Sequence, residues 1–172
     1  DRVLHTHEDK LISEQKFWEA VREIENHLAM VFHRYIETQR LKLFVNSNPV
    51  VEWDPFLKKE KSTQCFPTEV FSKDQVKVTG FVLPHISKIN PETFDKAAGP
   101  KGWNEHQGFY IYRNDRLLVS GGWLRMFRKE DHVKLARIMI EIDTSLDFTW
   151  QLDIRKSRAT PPAMLRDELK RY

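Results

Sequence analysis

The chain has 172 residues, of which 40% are hydrophobic, 31% charged and 12% aromatic, and its formal net charge is +3. This composition is typical of a globular chain with enough residues for one domain, and the small net charge excludes a polycation whose whole surface binds nucleic acid. The single cysteine, Cys65, excludes an internal disulfide, and no apolar run approaches the roughly 18–20 residues of a membrane span.

The first thirteen residues are polar and irregular, and they predict a flexible N-terminal segment over 1–13. The chain starts at Asp1 without a signal-peptide pattern, so we interpret it as a fragment of a longer protein. A lone cysteine and the absence of a leader pattern favour the cytoplasm.

An amphipathic helix is predicted over residues 14–38, with Ser13 as its cap. Its apolar side chains recur at spacings of four and three: Phe17, Val21, Ile24, Leu28, Val31 and Tyr35. A helix of this length, about 35 Å at ~1.5 Å per residue, needs a long partner surface, and we expect that surface to be a sheet.

Strands follow the helix. LKLFV (41–45) and VVEW (50–53) predict a hairpin around the turn cluster NSNP. QVKVTGFVLP (75–84) predicts a strand whose alternation changes phase at Gly80, which indicates a bulge or kink.

The rest of the chain predicts further strands and two short helices. One helix follows Pro91, a hairpin over 107–123 turns at Asn114-Asp115, and strands cover 135–142 and 149–155. The last helix follows Pro161-Pro162. This order predicts the α+β class, with a single mixed sheet covered by helices and one domain over 14–172.

Catalytic motifs are missing from the sequence. It contains no phosphate-loop, GxGxxG, GxSxG or HExxH pattern. The cluster His5, His7, Glu8 and Asp9 is read as a solvated tail rather than a metal site. Glu23 and His27 form a surface pair at i, i+4, and Cys65 lacks basic neighbours that would activate its thiol.

The basic segment WQLDIRKSRATPP (150–162) is the candidate site. Trp150, Leu152 and Ile154 alternate with polar residues, and the next residue in phase with them is Lys156. Burying an unpaired lysine costs several kcal/mol. Either the strand ends here as a solvated basic terminus, or Lys156 points at an anion such as a phosphate, flanked by Arg155, Ser157 and Arg158.

A second candidate is the glycine-rich patch GPKGWNEHQGFYIYRNDRLL. Gly99, Gly102 and Gly108 surround Lys101 and Trp103. The glycines are explained equally well by tight turns or by contact with a partner chain or nucleotide, so both interpretations stay open.

The runs GPKGWNEHQGFYIYRNDRLLVSGGWLRMF and HVKLARIMIEIDTSLDFTWQLDIRKSRATPP resemble the second domain of bacterial GHKL-type ATP-binding proteins. These are the gyrase, heat-shock-chaperone, histidine-kinase and MutL group of the HATPase class. Upstream, FHRYIE, FVNSNPVVEWDPF and FVLPHISK fit the same pattern, so the resemblance covers nearly the whole chain from the long helix onward. A fainter similarity to MutL points to a role like that in DNA mismatch repair.

The resemblance implies a transducer domain with the ribosomal protein S-five domain-two-like fold and its left-handed βαβ crossover. In such proteins a lysine reaches the γ-phosphate of ATP bound in the preceding domain, and the matching residue here is Lys156. Arg155, Ser157 and Arg158 are its neighbours, and either arginine is an alternative for that contact. ATP and Mg would be held by that preceding domain, because this chain lacks its DxGxG motif and glycine-rich lid. The implied partners are the preceding domain and a second copy of the chain, with no membrane.

Two alternatives compete with the transducer. The first is a nucleic-acid or protein interaction module, whose phosphate-binding surface would comprise Arg155, Lys156, Arg158, Arg166, Lys170 and Arg171. The second is a stand-alone enzyme, which the missing catalytic constellation disfavours.

Overall fold

The computed structural model describes residues 7–71, 76–146, 150 and 160–171, without the side chains of 7–13 and 164. Contacts between Cα atoms divide the chain into two compact units, Asp1–Trp53 and Asp54–Tyr172. The single domain expected over 14–172 stays a prediction.

The first unit contains two helices and a hairpin. Their bounds are α1 His7–Val31, α2 His33–Glu37, β1 Phe44–Val45 and β2 Asn48–Pro49. The helix expected from Ser13 therefore starts earlier, at His7, and Phe32 separates it from α2. Asn46 and Ser47 adopt φ of 48° and 67°, the left-handed pair that a two-residue hairpin turn requires.

The apolar stripe of α1 is exposed over much of its length. Phe17 is 59% exposed and Ile24 54%, whereas Ala29 and Val31 near the end of α1 are buried. The amphipathic pattern thus identified the helix correctly, although only the C-terminal part of the stripe is buried.

The second unit is built on a six-stranded sheet. Its elements are β3 Gln64–Cys65, β4 Glu69–Phe71, β5 Val76–Val82, α3 Pro91–Ala97, α4 Trp103–His106, β6 Gly108–Arg113, β7 Arg116–Ser120, β8 Ala136–Ile142 and α5 Ala163–Leu169. Short 3₁₀ turns occupy Ile86–Lys88, Asp131–Val133 and Thr144–Leu146. The strand order is β3-β5-β8-β6-β7, and β4 also pairs with β5.

Strand β8 is inserted between β5 and β6, although it follows both in the chain. It runs antiparallel to β5 and parallel to β6, and the other pairs in the described sheet are antiparallel. The chain is therefore α+β with a mixed, mostly antiparallel sheet, as the sequence predicted.

Strand β5 itself has no kink at Gly80, although the register on its other edge shifts by one residue there, since Cys65 pairs with Phe81 and Glu69 pairs with Val78. Residues of β5 pair with β8 without interruption from Val76 to Val82. The phase change arises because both faces of β5 are covered: Val78 lies in the main hydrophobic cluster, while Phe81 packs on Phe56 with a ring-centroid distance of 4.6 Å. A strand covered on both faces loses the simple alternation of apolar and polar residues.

The main hydrophobic cluster lies between one face of the sheet and α5. Its buried members are Val76, Val78, Phe109, Ile111, Ile140, Ile142, Trp150, Leu165 and Leu169. The helix predicted after Pro162 is thus confirmed as a cover for the sheet. The strand predicted over 149–155 lies outside the described residues except for Trp150, whose predicted burial is confirmed.

We expect Ile140→Ala to lower the free energy of unfolding by about 2–5 kcal/mol, because Ile140 is fully buried and its truncation leaves a cavity. Urea denaturation measures this loss. Val70→Ala is the control, since Val70 on β4 is 48% exposed and its change should stay within about 0.5 kcal/mol. Equal losses in both variants would contradict the assignment of the core.

Candidate functional site

The sequence-predicted site residues Arg155, Lys156, Ser157 and Arg158 lie outside the described residues. The structure instead describes the two residues that border their segment, Trp150 and Thr160.

These two ends are joined by a hydrogen bond between the buried Trp150 and the exposed Thr160. Trp150 is 1% exposed, packs in the main cluster, and its N–H donates to the Leu146 carbonyl at 3.0 Å. The Thr160 N–H donates to the Trp150 carbonyl at 2.9 Å, and the next residue, Pro161, is buried. The segment that carries Lys156 therefore departs from and returns to a single anchored base.

The other cations of the proposed phosphate-binding surface are partly engaged within the chain. Arg166 donates from Nε to the Pro161 carbonyl at 3.0 Å, and Lys170 Nζ lies 3.5 Å from Asp167 Oδ1. Arg171 lines an open cavity of about 420 Å³ together with apolar residues such as Phe66 and Ile138. Arg166 and Lys170 therefore have contacts within the chain that would compete with a phosphate backbone.

One glycine of the second patch, Gly108, and the nearby Gly121 have a structural explanation. Gly108 adopts φ 98°, and a Cβ there would lie 2.4 Å from the Gly122 carbonyl oxygen. Gly121, which follows the patch, adopts φ 76°, and a Cβ there would lie 2.4 Å from the Glu105 carbonyl oxygen. Both positions require glycine because the backbones approach too closely for any side chain. This close backbone approach explains Gly108 and Gly121 without a partner or nucleotide, and it leaves Gly99 and Gly102 unexplained.

A buried polar network lies beside these glycines, and the sequence did not reveal it. Arg137 on β8 is fully buried, and its guanidinium donates to the Tyr110 hydroxyl and, at 2.9 Å, to the Ala97 carbonyl. The Tyr110 hydroxyl donates to the His106 carbonyl at 2.7 Å, and His106 Nδ1 lies 3.3 Å from the hydroxyl oxygen. The guanidinium also faces the Trp103 ring, 5.6 Å from its centroid.

Burial dominates the electrostatics of this network. It lowers the pKa of His106 to about 4, helped by the nearby cation Arg137, and it raises the pKa of Tyr110 to about 12 against the opposing effect of Arg137. It also lowers the pKa of Arg137 from its ordinary value. Near neutral pH the imidazole and the phenol are therefore both uncharged, and neither is poised for proton transfer.

The network consequently acts as a structural tie rather than as an active site. Its hydrogen-bonded residues His106, Tyr110 and Arg137 are each at most 1% exposed, so a substrate has no access to them. The guanidinium instead fixes the end of α3 and strand β6 against β8.

The smaller candidates offer little chemistry. Within the described part of the chain, no group of three or more His, Cys, Asp or Glu side chains could hold a metal ion. Glu23 and His27 are exposed on α1, and Cys65 is an exposed free thiol. The side chains of His5, His7, Glu8 and Asp9 lie outside the described residues.

Comparison with protein-family models, with curated proteins and with solved structures finds no match for this chain. The family assignment therefore rests on the sequence resemblance. Among the described residues, no helix has both the length and the apolar character needed to cross a membrane.

Replacing Gly121 by alanine should destabilise the chain more than replacing Gly102. Both glycines have positive φ, but the space around Gly102 is open within 4 Å, whereas a Cβ at Gly121 meets backbone. We expect about 1–2 kcal/mol for Gly102→Ala and about 1–3 kcal/mol more for Gly121→Ala, measured by urea denaturation. Equal losses would argue against the close approach of Gly121 to Glu105.

Stability should fall as the pH drops below about 6.5, because unfolding restores the ordinary pKa of His106. The folded pKa of about 4 is below the unfolded one, so the contribution is complete above pH 6.5 and is lost as the pH falls toward 4. Between pH 6.5 and pH 5 we expect a loss of about 2 kcal/mol.

The control compares His106→Gln with the parent chain at each pH, which removes the carboxylate titrations that both share. The difference in unfolding free energy between the two should depend on pH over this window. A constant difference would show that His106 titrates normally in the folded state. His132→Gln is the matched control, because the His132 side chain is 72% exposed. The difference in unfolding free energy between this variant and the parent chain should change much less over the same pH window.

Proposed function

We propose that this chain is the transducer domain of a GHKL-type ATPase, in which Lys156 contacts the γ-phosphate of ATP. ATP and its Mg are bound by a preceding domain of the longer protein. Arg155, Ser157 and Arg158 lie next to the phosphate contact. The proposal rests on the sequence resemblance, which covers nearly the whole chain.

One structural observation supports it most. The segment that carries Lys156 begins at Trp150 in the core and ends at Thr160, whose backbone N–H is hydrogen-bonded to the Trp150 carbonyl. A phosphate contact in a neighbouring domain transmits force only if its base is fixed to the fold. Trp150 and α5, which begins three residues after Thr160, provide such a base.

The free energy of the contact between Lys156 and the γ-phosphate determines which role the domain can have. A single charge-assisted hydrogen bond contributes about 1–3 kcal/mol, which alone gives no useful affinity for a nucleotide. The same energy shifts a two-state equilibrium by roughly 5- to 150-fold when the contact forms in one state only. The domain therefore couples ATP binding to domain closure and is not itself the site of ATP binding.

We extend the proposal to the ribosomal protein S-five domain-two-like fold. A mixed sheet with one described parallel pair, β6 and β8, agrees with it. The chain between these two strands contains β7 and a 3₁₀ turn and no described α-helix, so the left-handed βαβ crossover requires another parallel strand.

The preceding ATP-binding domain is the main proposed partner, and closure of a homodimer is the proposed outcome of its ATP binding. A cytoplasmic protein with a role like that in DNA mismatch repair fits the resemblance.

In the longer protein, Lys156→Ala should lower the turnover number for ATP by about 100- to 1,000-fold, as the loss of one preorganised electrostatic contact does. The affinity for nucleotide should change less, because the preceding domain holds the rest of ATP. Steady-state hydrolysis and equilibrium nucleotide binding measure the two effects separately.

Arg155→Ala and Arg158→Ala identify which cation makes the contact, and Lys170→Ala on α5 is the control for a lost positive charge. Lys170 already lies near Asp167, so its removal should leave turnover unchanged. Wild-type turnover in all three variants of the 155–158 segment would refute the proposal.

A further inference from the structure

The chain between β7 and β8 contains a segment, residues 123–130, that is held at both ends by one buried side chain. Gln107 is fully buried, and its Oε1 accepts the Trp123 indole N–H at 2.8 Å and the Glu130 backbone N–H at 3.1 Å. Lys129 adds an ion pair to Glu105 at 2.5 Å. The segment is therefore fixed on the sheet rather than loosely connected to it.

The side chains of the 123–130 segment are divided between the hydrophobic cluster and the solvent. Leu124 and Arg125 adopt φ of 50° and 63°, a left-handed conformation that costs non-glycine residues about 1–3 kcal/mol each. Leu124 and Met126 pack against the main hydrophobic cluster, whereas Arg125, Phe127 and Arg128 are exposed. Two arginines and a phenylalanine of this segment are thus accessible to solvent.

The two arginines retain their charge for an external partner. Arg125 and Arg128 make no hydrogen bond or ion pair with any residue that the structure describes. The neighbouring lysines differ, because Lys129 pairs with Glu105 and Lys134 pairs with Asp131 at 3.0 Å. The unneutralised positive charge is concentrated on either side of Phe127.

Phe127 is oriented and yet accessible. Its ring packs against Trp123 edge to face, with a centroid distance of 5.7 Å and an interplanar angle of 86°, and the residue is 46% exposed. An exposed aromatic ring that is already fixed loses little conformational entropy when a planar group stacks on it. Buried Gln107 holds half-buried Trp123, and Trp123 in turn holds the Phe127 ring in a fixed, accessible orientation.

We propose that the 123–130 segment binds single-stranded nucleic acid, with a base stacked on Phe127 and backbone phosphates on Arg125 and Arg128. Aromatic rings between cations are the common arrangement for single strands, because bases stack while the charges follow the phosphates. An acidic peptide would satisfy the arginines but would leave Phe127 without a planar partner. This surface belongs to a different part of the sequence from Lys156, and its proposed function does not depend on ATP.

The test measures binding of a fluorescent oligothymidylate to the 172-residue chain by anisotropy at about 50–200 mM salt, beside an abasic oligonucleotide of equal length. The parent chain should prefer oligothymidylate by about 5- to 150-fold, the worth of one stacked base. Phe127→Ala should abolish that preference and leave binding to the abasic strand unchanged. Phe66→Ala, at a residue 49% exposed, is the matched control and should keep the preference.

The charge contribution is tested separately with Arg125→Gln/Arg128→Gln. This double variant should reduce the slope of log affinity against log salt by about 1.4, since each phosphate contact on a single strand contributes about 0.7. Lys61→Gln/Lys88→Gln removes the same charge from exposed positions elsewhere and should leave the slope unchanged. The proposal is overturned if the parent chain binds the two oligonucleotides equally well, or if the two double variants have equal salt slopes. It is also overturned if polyglutamate displaces the bound strand as effectively as oligothymidylate does.

Discussion

The burial of the Arg137 guanidinium is the interaction on which the second unit depends most. A buried charge is tolerated only when it is hydrogen-bonded, and the acceptors here are the Tyr110 hydroxyl and the Ala97 carbonyl. These acceptors belong to β6 and to the end of α3, so one charge fixes two elements to β8. The connection from α3 to β6 must then fold tightly, which is why glycine is required where its backbone meets Gly122.

The same connection links the buried network to the surface. His106 contacts Tyr110 with its ring and its carbonyl, while the adjacent Gln107 accepts hydrogen bonds from both ends of the 123–130 segment. Two consecutive buried residues therefore hold the core network on one side and an exposed segment on the other. A change that loosened the network would be expected to reach Phe127 through the backbone of residues 106–107, without any direct contact.

Features governed by local chemistry were predictable from the sequence, and those governed by pairing were not. The turn at Asn114-Asp115 and the helix after Pro162 follow from the conformations these residues favour, and both are observed. Gly80 was misread because apolar residues on both faces of β5 hide its alternation. Arg137 was missed for a related reason: within LARIMIEI it resembles the solvent-facing member of a strand, and only the register that sets it between Phe81 and Gly108 shows that it is buried.

The candidate site illustrates the same limit. Arg137 shows that this chain can satisfy a cation on a buried face with its own uncharged oxygens, so a lysine in phase with Trp150 is not by itself evidence for an external anion. The anchored base adds an independent constraint. Lys156 precedes Thr160 by four residues, and a chain extends at most about 3.6 Å per residue, so its Cα lies within about 14 Å of that base. A γ-phosphate contacted by Lys156 would therefore lie within this radius plus the length of one lysine side chain from Thr160, which would limit how the proposed ATP-binding domain docks.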